Sequence, residues 1–480
     1  MFVGAVMAVA GLAGSAHAGT AQGTATSTQV WGKRFLGGGG ANGRAAAFSP
    51  DGSKLFVAGR VTPGGPGTQL DAFVVAYDAD GFQLWSRSFT GPVAGDDYVN
   101  ALTVSPDGSK VFVTGVSSST TASDQSGYDY ITIAYDASTG NRLWLKRYDP
   151  GAAKYDEAKA IGISPDGSTV FVTGDSTNRN GNTDIATLAY DATTGATRWV
   201  KRYDGPGHGD DVGNALAISP DGTKIFVAGD ATNTSGNTDY AAVAYDSSTG
   251  TQLWASLFNG PAGGDDKAYA IGVSPDGTTV YLGGALFNYD PDNFPQGNYD
   301  YGTVAFTTSN GAFRFELAYL GAQQDNDDEI FALAVGSDGN IYVTGRSTHE
   351  TSCSCPLSYD YATVSYSPTG TRRWVTTYGQ PSSLADDSEA FAVAVTPDNT
   401  KVIVTGESKN AAGNYDYFTQ AYTPLHGTLI WQHRADGPGH GTDKADALAV
   451  SADSSRVAVT GLSTNAGGGQ DVLTFDYTTG

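Results

Sequence analysis

Cysteine is nearly absent from this sequence, which contains two cysteines in 480 residues. Both of them, Cys353 and Cys355, lie in the stretch 351–356, so a disulfide framework does not hold this fold together. We expect a local disulfide between them in an oxidising compartment, and free thiols or intermolecular pairing are the alternatives. Two soft ligands alone make a poor metal site.

Positive charge is also scarce, because 27 lysines and arginines stand against 50 aspartates and glutamates and give a formal net charge of -23. Nucleic acids and anionic membranes are bound mainly by basic side chains, so we exclude a nucleic-acid partner. Six of the 50 acidic residues are glutamate, which leaves 44 aspartates. Aspartate is a turn residue whose carboxylate accepts hydrogen bonds from nearby backbone N–H groups, so a loop-rich fold explains most of this acidity.

Long apolar runs are missing beyond the N-terminus, where no stretch approaches the about 20 residues of a membrane-spanning helix. We therefore expect no membrane insertion. Residues 1–18 read as a signal peptide, since an apolar stretch over 2–13 precedes the small-x-small sequence Ala16-His17-Ala18. The basic residue that usually precedes such a stretch is absent. We predict an exported protein, secreted or at the cell surface, with a short N-terminal segment over 19–28.

Strong catalytic motifs are missing as well. The sequence has no Gly-x-Ser-x-Gly nucleophile elbow, no His-Glu-x-x-His zinc motif and no Gly-Lys-Ser/Thr phosphate-binding loop. These absences favour a non-catalytic protein.

What the sequence does contain is a repeated turn. Ser-Pro-Asp-Gly begins at five positions and degenerate copies begin at three more, in the order Ser49, Ser105, Ser164, Ser219, Ser274, Gly336, Thr396 and Ser451. Neighbouring copies are 55 to 62 residues apart, so eight units fill nearly the whole chain after residue 28. Repeats of the WD type are shorter, about 40 to 45 residues.

Each unit contains four strand-like segments, labelled A to D. In the second unit they are residues 101–104, 111–114, 130–135 and 142–148, and tight turns join A to B and C to D. The longer B-to-C and D-to-A connections therefore open on one face, called here the long-loop face. Strand A is built from small and branched residues, and each strand D carries one large aromatic that suits packing between blades: Trp31, Trp85, Trp144, Trp199, Trp254, Phe315, Trp374 and Trp431.

This pattern predicts an all-β fold, a single eight-bladed β-propeller over residues 29–480 with four antiparallel strands per blade and strand A innermost. The chain starts with an isolated outer strand, Gln29–Phe35, whereas its last unit supplies three strands. We predict that the N-terminal strand joins the last blade and closes the ring, because pairing the two ends removes exposed edges.

The repeat resembles two related families of bacterial propellers. Residues 71–74, Trp85, residues 96–97 and the stretch 111–115 (VFVTG) look like one register of the SBBP repeat. Residues 134–140 (AYDASTG) followed by Trp144 are similar to the tryptophan-docking motif of the PQQ-like quinoprotein propellers. Both resemblances imply a propeller. Quinoprotein alcohol dehydrogenases carry vicinal cysteines beside the quinone, and here Ser354 separates the pair, so we do not expect PQQ as a cofactor.

Two sets of aspartates recur in the units. The first precedes strand C in all eight, where we expect hydrogen bonds to loop N–H groups: Asp71, Asp129, Asp184, Asp239, Asp300, Asp360, Asp416 and Asp471. The second ends the D-to-A loop, near the predicted mouth of the central channel: Asp97, Asp156, Asp211, Asp266, Asp328 and Asp443. Such an acidic ring could hold Ca²⁺, which prefers several oxygen ligands, and loop capping is the alternative.

Departures from the repeat are further candidates for function. The longest B-to-C loops are residues 286–300 and 347–360. The first combines aromatic rings with hydrogen-bond acceptors, a composition suited to carbohydrate or protein contact or to a local cation site, with neutral loop variation as the alternative: Asn288, Tyr289, Asp290, Asp292 and Phe294. His208 and His440 lie in matching loops and are expected to be surface residues.

Together these features predict an exported, non-catalytic propeller that acts as a binding or scaffold module. We expect a monomer whose protein or carbohydrate ligand contacts the long-loop face. The alternative is an enzyme with a site at the channel mouth, either a PQQ-dependent quinoprotein dehydrogenase or a polysaccharide-acting enzyme.

Overall fold

The computed structural model describes residues 27–36, 39–63, 69–93, 95–119, 127–151, 155–290, 294–321, 327–349, 358–379 and 387–480. These residues form 32 strands in eight four-stranded sheets. They include no helix, and therefore none that is long and apolar enough to cross a membrane. The predicted signal peptide, most of the segment 19–28 and both cysteines lie outside the described residues.

Each blade is one antiparallel sheet with its strands in the order A, B, C, D. Blades 1 and 2 consist of β2 Gly40–Phe48, β3 Lys54–Thr62, β4 Asp71–Asp78, β5 Gln83–Phe89, β6 Asp97–Val104, β7 Lys110–Ser118, β8 Tyr128–Asp136 and β9 Arg142–Tyr148. Blades 3 and 4 consist of β10 Asp156–Ile163, β11 Thr169–Thr177, β12 Thr183–Asp191, β13 Thr197–Tyr203, β14 Val212–Ile218, β15 Lys224–Thr232, β16 Thr238–Asp246 and β17 Gln252–Phe258.

The second half of the ring repeats this order. Blades 5 and 6 consist of β18 Lys267–Val273, β19 Thr279–Asp290, β20 Phe294–Thr307, β21 Phe313–Tyr319, β22 Asp328–Val335, β23 Ile341–His349, β24 Ser358–Tyr366 and β25 Arg372–Tyr378. Blades 7 and 8 consist of β26 Ser388–Val395, β27 Val402–Lys409, β28 Tyr415–Tyr422, β29 Leu429–Ala435, β30 Lys444–Val450, β31 Arg456–Thr464, β32 Gln470–Thr478 and, as the last outer strand, β1 Gln29–Phe35.

The ring closes through β1, as the sequence predicts. β1 pairs antiparallel with β32, and its partners run from Trp31 opposite Asp476 to Phe35 opposite Val472. The Ser27 hydroxyl also donates to the Thr478 carbonyl at 2.6 Å. The eight-bladed, all-β prediction is therefore confirmed, with the two ends of the chain in one sheet.

The hydrophobic core is divided among the blade junctions. Within the described residues, eight clusters of buried side chains each span two neighbouring blades. The A strands of neighbouring blades also contact one another all the way around the ring. Each blade is therefore stabilised by its two neighbours, as in other repeat proteins, and no blade has a core of its own.

The seven tryptophans of the outer strands dock each blade onto the next. Each indole N–H donates to a carbonyl just after strand C of the following blade, as Trp199 does to Ser247 at 3.0 Å. The turn glycine lies against the indole face: a Cβ on Gly250, at φ 67°, would come within 2.6 Å of Trp199. The predicted role of these aromatics in packing between blades agrees with this geometry.

Two strand boundaries differ from the sequence-based prediction. Strand A of blade 2 begins at Asp97, four residues earlier than predicted, because a bulge at Asn100 interrupts the alternation by which strands are recognised. The predicted loop over 286–300 is largely a hairpin, in which β19 and β20 extend beyond the sheet until Asp290 pairs with Phe294.

We expect deletion of residues 29–35 to destabilise the whole ring, since β32 would lose its partner and the last junction would lose Trp31. Thermal unfolding and secretion yield measure the effect, and the full 480-residue sequence is the control. A deleted variant that melts and secretes like this control would contradict closure by β1.

Candidate functional site

All eight A strands carry a β-bulge at the same register. The bulge falls between residues 43 and 45 of blade 1 and between the equivalent residues of every other blade. A bulge leaves one residue without a pairing partner and re-aims its side chain. The eight residues at this position, called here the channel ring, are Arg44, Asn100, Lys159, Asn214, Tyr269, Phe331, Phe391 and Asp446.

A repeated glycine in strand B makes the bulge possible. A Cβ at Gly115 would overlap the carbonyl oxygen of Tyr98 in strand A, and the same close approach recurs in each blade. Only glycine allows the two backbones to come this close. The glycines are Gly59, Gly115, Gly174, Gly229, Gly284, Gly345, Gly406 and Gly461.

The polar half of the channel ring is linked by hydrogen bonds from blade to blade. Arg44 Nη1 donates to Asn100 Oδ1 at 2.6 Å, and Asn100 Nδ2 donates to Glu157 Oε1 at 2.9 Å. Lys159 Nζ lies 2.7 Å from Asp175 and 3.5 Å from Asn214 Oδ1. These contacts therefore connect neighbouring blades from blade 1 to blade 4 along one side of the ring.

Three consecutive members of the ring, in blades 5 to 7, are aromatic. The centroids of Tyr269 and Phe331 are 6.4 Å apart, and those of Phe331 and Phe391 are 5.8 Å apart at an interplanar angle of 21°. Lys444 Nζ lies 3.7 Å from the Phe391 centroid and 3.6 Å from Asp446. One arc of the ring is therefore apolar and the other is polar or charged, although all eight residues occupy the same backbone register.

Charges are concentrated next to the ring. The channel layer is defined here as the ring together with, in each blade, the strand-A residue two positions earlier and its strand-B partner. Its acidic members are Glu157, Asp175, Asp230, Glu329, Glu389, Glu407 and Asp446, and its basic members are Arg44, Arg60, Lys159, Lys267, Arg346 and Lys444.

Burial shifts the pKa values of several acids in this layer. It raises the pKa of Asp230 to about 7 and that of Glu407 to about 7, and nearby Glu389 and Asp446 add to the shift at Glu407. Burial likewise raises the pKa of Asp175 and Asp446. Carboxyl groups with shifted pKa values beside a channel are typical of functional sites, although structural networks shift pKa values too.

The sequence analysis missed the channel ring, although a signal for it is present. The ring residue always lies five positions before the first residue of the repeated turn and always precedes an alanine. At that register the eight units carry arginine, lysine, aspartate, asparagine, tyrosine and phenylalanine. The ring could have been found from this contrast, because the residue type varies at one fixed position of the repeat while the alanine after it is constant.

The six aspartates of the predicted cation site are fully or almost fully buried. They accept hydrogen bonds from backbone N–H groups of the D-to-A loop or of strand B, as Asp211 does from Gly205 at 2.5 Å and from Thr232 at 2.8 Å. This geometry favours the capping alternative. Calcium binding by this set stays a prediction.

Three of these aspartates belong to acidic trios that join both repeated sets. Within each trio the carboxylate oxygens lie within 4.8 Å of one another: Asp129, Asp149 and Asp156; Asp184, Asp204 and Asp211; Asp416, Asp436 and Asp443. An arginine of strand D already pairs with the first member of each, at 2.8 Å for Arg147, 2.9 Å for Arg202 and 3.1 Å for Arg434. A guanidinium therefore supplies positive charge where a cation would bind.

His208 and His440 are exposed and pair with Asp204 and Asp436 of two trios. Hydrogen bonds to these aspartates raise the pKa of both imidazoles. In the hairpin of blade 5, Tyr289 is exposed and Asn288 pairs with Asn298, while Asp292 lies outside the described residues. A ligand-binding role of Asn288, Tyr289, Asp290, Asp292 and Phe294 stays a prediction, as does the disulfide.

The geometry defines an eight-bladed propeller with a chemically uneven channel mouth, and comparisons with known proteins identify its family. A protein-family model described as outer membrane protein assembly factor BamB matches residues 17–173 and 131–381, more than half of the chain. The chain belongs to this family of PQQ-like propellers. The SBBP repeat register stays an expectation from the sequence. No curated protein matches the sequence.

Solved structures share the fold at low sequence identity. BamB from Moraxella catarrhalis is 16% identical, with 94% of this chain and 100% of that chain covered and a TM-score of 0.51. Sqt1 from Chaetomium thermophilum, bound to the N-terminus of the ribosomal protein L10, is 13% identical, with 92% and 98% covered and a TM-score of 0.55. Quinohemoprotein alcohol dehydrogenase ADHIIG from Pseudomonas putida HK5 is 12% identical, with 94% and 76% covered and a TM-score of 0.55.

The buried aspartates predict that the protein is more stable in mild acid than at neutral pH. Burial raises the pKa of Asp156 to about 7 and that of Asp328 to about 7. The native state then holds protons that the unfolded state releases, so stability is fully present below the unfolded-state pKa and is lost as pH rises toward 7. We expect the melting temperature to fall from pH 5 to pH 8.

The variant Asp156→Asn should flatten this slope, because asparagine keeps the oxygen that accepts from Ser176 and Thr177 but does not titrate. Asp107→Asn is the control, since hydrogen bonds from Ser105 and Ser109 lower the pKa of Asp107 to about 2, outside this pH window. Calorimetry at four pH values measures both slopes. A slope that Asp156→Asn leaves unchanged would contradict this assignment.

Proposed function

We propose that this protein is an exported binding propeller that engages a protein ligand at the long-loop face, with the channel ring at the centre of the contact. The observation that carries the proposal is the ring itself. The equivalent position in the eight blades carries polar, charged or aromatic side chains that differ from blade to blade. A scaffold needs no such variation, since the packing residues of the blades are nearly uniform.

Names among the comparisons support a protein ligand. The family description is an outer membrane protein assembly factor, and Sqt1 is a propeller bound to a protein N-terminus. An extracytoplasmic location is part of the proposal, and its support is the leader-like sequence of residues 1–18 together with the family description.

A quinone cofactor does not fit the residues at the channel mouth. PQQ is a planar tricarboxylate, so it needs a free flat surface and an excess of positive charge. Here Phe331 and Phe391 stack on one another and Lys444 covers the Phe391 ring. The channel layer carries seven acidic residues and six basic ones, so it offers no formal excess of positive charge to three carboxylates. We therefore derive no redox step for this protein.

Selection of peptide ligands tests the binding proposal. We expect immobilised mature protein to enrich peptides from a random library. We expect the combined substitution Arg44→Ala, Tyr269→Ala and Phe331→Ala, at ring residues that are only half-buried, to weaken their binding at least about tenfold, the size of one lost hot spot. Fluorescence anisotropy with the selected peptides gives the affinities, and thermal unfolding shows whether each variant is folded.

Lys110→Ala is the matched control, because Lys110 lines a groove between turns on the opposite face, together with Ser105, Asp107 and Asp166. Peptides that tolerate the triple substitution would overturn the role of the ring. Binding to a glycan array without any peptide binding would overturn the proposal of a protein ligand and would indicate a carbohydrate ligand instead.

The enzyme alternative has its own test in thermal unfolding with EDTA, with Ca²⁺ and with Ca²⁺ plus PQQ, since a ligand of the native state raises the melting temperature. We expect the quinone to add no shift to that seen with Ca²⁺ alone. A further rise of the melting temperature with PQQ would contradict the proposal that the protein is a non-catalytic binding propeller. A rise with Ca²⁺ that Asp204→Asn and Asp436→Asn remove would place a cation at the acidic trios.

A further inference from the structure

Two charged groups of the channel layer, one on each side of blade 8, have no hydrogen-bond or ion-pair partner among the described residues. Arg60 and Glu407 are half-buried, and neither makes a hydrogen bond or an ion pair with another described residue. Most other charged members of the layer do have such partners: Arg346 bridges Glu329 and Glu389 at 3.3 Å each, and Lys159 pairs with Asp175. Lys267 also has none among the described residues, but its Nζ lies 5.9 Å from the centroid of the Tyr299 ring. A charge taken partly out of water without a partner lowers stability, so an unpaired one in such a network calls for an explanation.

The two groups occupy the same register in different blades. Arg60 is the strand-B partner of Asn42 in blade 1, and Glu407 is the strand-B partner of Glu389 in blade 7. Blade 8 lies between them, and its Asp446 contributes to the electrostatic surroundings of both. Both groups therefore face the same sector of the channel mouth from opposite sides.

Each group belongs to a blade whose charged residues in the channel layer all have the same sign. In the channel layer, blade 1 contributes Arg44 and Arg60 with no acid, whereas blade 7 contributes Glu389 and Glu407 with no base. The sector thus has a positive pole and a negative pole, separated by the Lys444 and Asp446 pair of blade 8.

The charged forms of both groups are disfavoured in the free protein. Burial and the neighbouring Arg44 lower the pKa of Arg60, although Tyr98, Asp446 and Asp96 act in the opposite direction. Burial, together with Glu389, Asp446 and Asp387, raises the pKa of Glu407 to about 7 even though Lys444 acts in the opposite direction. A ligand charge of the opposite sign at each pole would relieve the repulsion and regain part of the lost solvation.

We propose that the channel mouth selects a dipolar protein segment, one that places an acidic side chain against Arg60 and a basic side chain against Glu407. The half-buried Phe331 of blade 6 borders the negative pole on the side away from blade 8 and suits an apolar residue of the same segment. The inference rests on the proposed function and adds the charge pattern of the ligand.

The experiment uses four sets of labelled, otherwise Gly/Ser-based decapeptides with one fixed Leu. One set carries a single Asp and a single Lys at all spacings, one carries two Asp, one carries two Lys, and one carries neither. We expect the best dipolar peptides to bind the mature protein about tenfold more tightly than the best peptide of each other set, the size expected of one charge-assisted pair. Fluorescence anisotropy at constant ionic strength measures the binding.

Variants separate the two poles. Arg60→Gln should reduce binding of the best dipolar peptide about tenfold and leave its Asp-to-Ser version unchanged, because that version has no acid for the arginine to bind. Glu407→Gln should show the same pattern with the Lys-to-Ser version. Combining Arg60→Glu with Glu407→Arg should favour the dipolar peptide in which Asp and Lys are exchanged.

The controls carry the same change of net charge away from the channel. Arg142→Gln and Asp80→Asn alter exposed residues of the outer strand and of a turn. Equal affinities for the dipolar and single-sign sets, or losses matched by these controls, would overturn the charge pattern while binding through the ring aromatics still supported the proposed function. Failure of every peptide set to bind would count against the proposed function itself.

Discussion

The close approach of strand B to strand A is the constraint on which the channel mouth depends. A glycine in strand B lets the carbonyl of strand A sit where a Cβ would otherwise be, and the extra residue of the bulge then has no cross-strand partner. Eight repetitions of this contact aim eight side chains at one ring. The backbone of the site is therefore fixed by glycine, while its chemistry is free to differ from blade to blade.

The rest of the fold holds that ring rigid. The indole N–H groups bind the next blade's turn, the buried aspartates cap the loops that lead into strand A, and the pairing of β1 with β32 joins the last blade to the first. Because each blade contacts its two neighbours, a loss at any junction is transmitted around the closed ring. These devices recur in most blades, which indicates that they serve stability.

Function is better sought where the repeat changes. The long hairpin of blade 5, the charged poles of blades 1 and 7 and the aromatic arc of blades 5 to 7 all break the eightfold pattern on the long-loop face. Membership of the PQQ-like propeller family fits this division, because members of one fold can share the packing devices and differ in their sites.

The sequence by itself determined the eight blades, the closing strand and the docking tryptophans, because turns, aromatic positions and strand lengths are local signals that recur at a fixed period. It also located the two sets of aspartates, but not that Asp184 and Asp211 meet Asp204 in one trio, since Asp184 lies in β12 whereas Asp204 and Asp211 lie at opposite ends of the loop between β13 and β14. Only the tertiary structure decided which side chains face the channel, because a bulge reverses the alternation that sequence patterns rely on. For the same reason the sequence could not show that Arg60 and Glu407 have no partner among the described residues, because whether a charge has a partner depends on side chains brought together from distant blades.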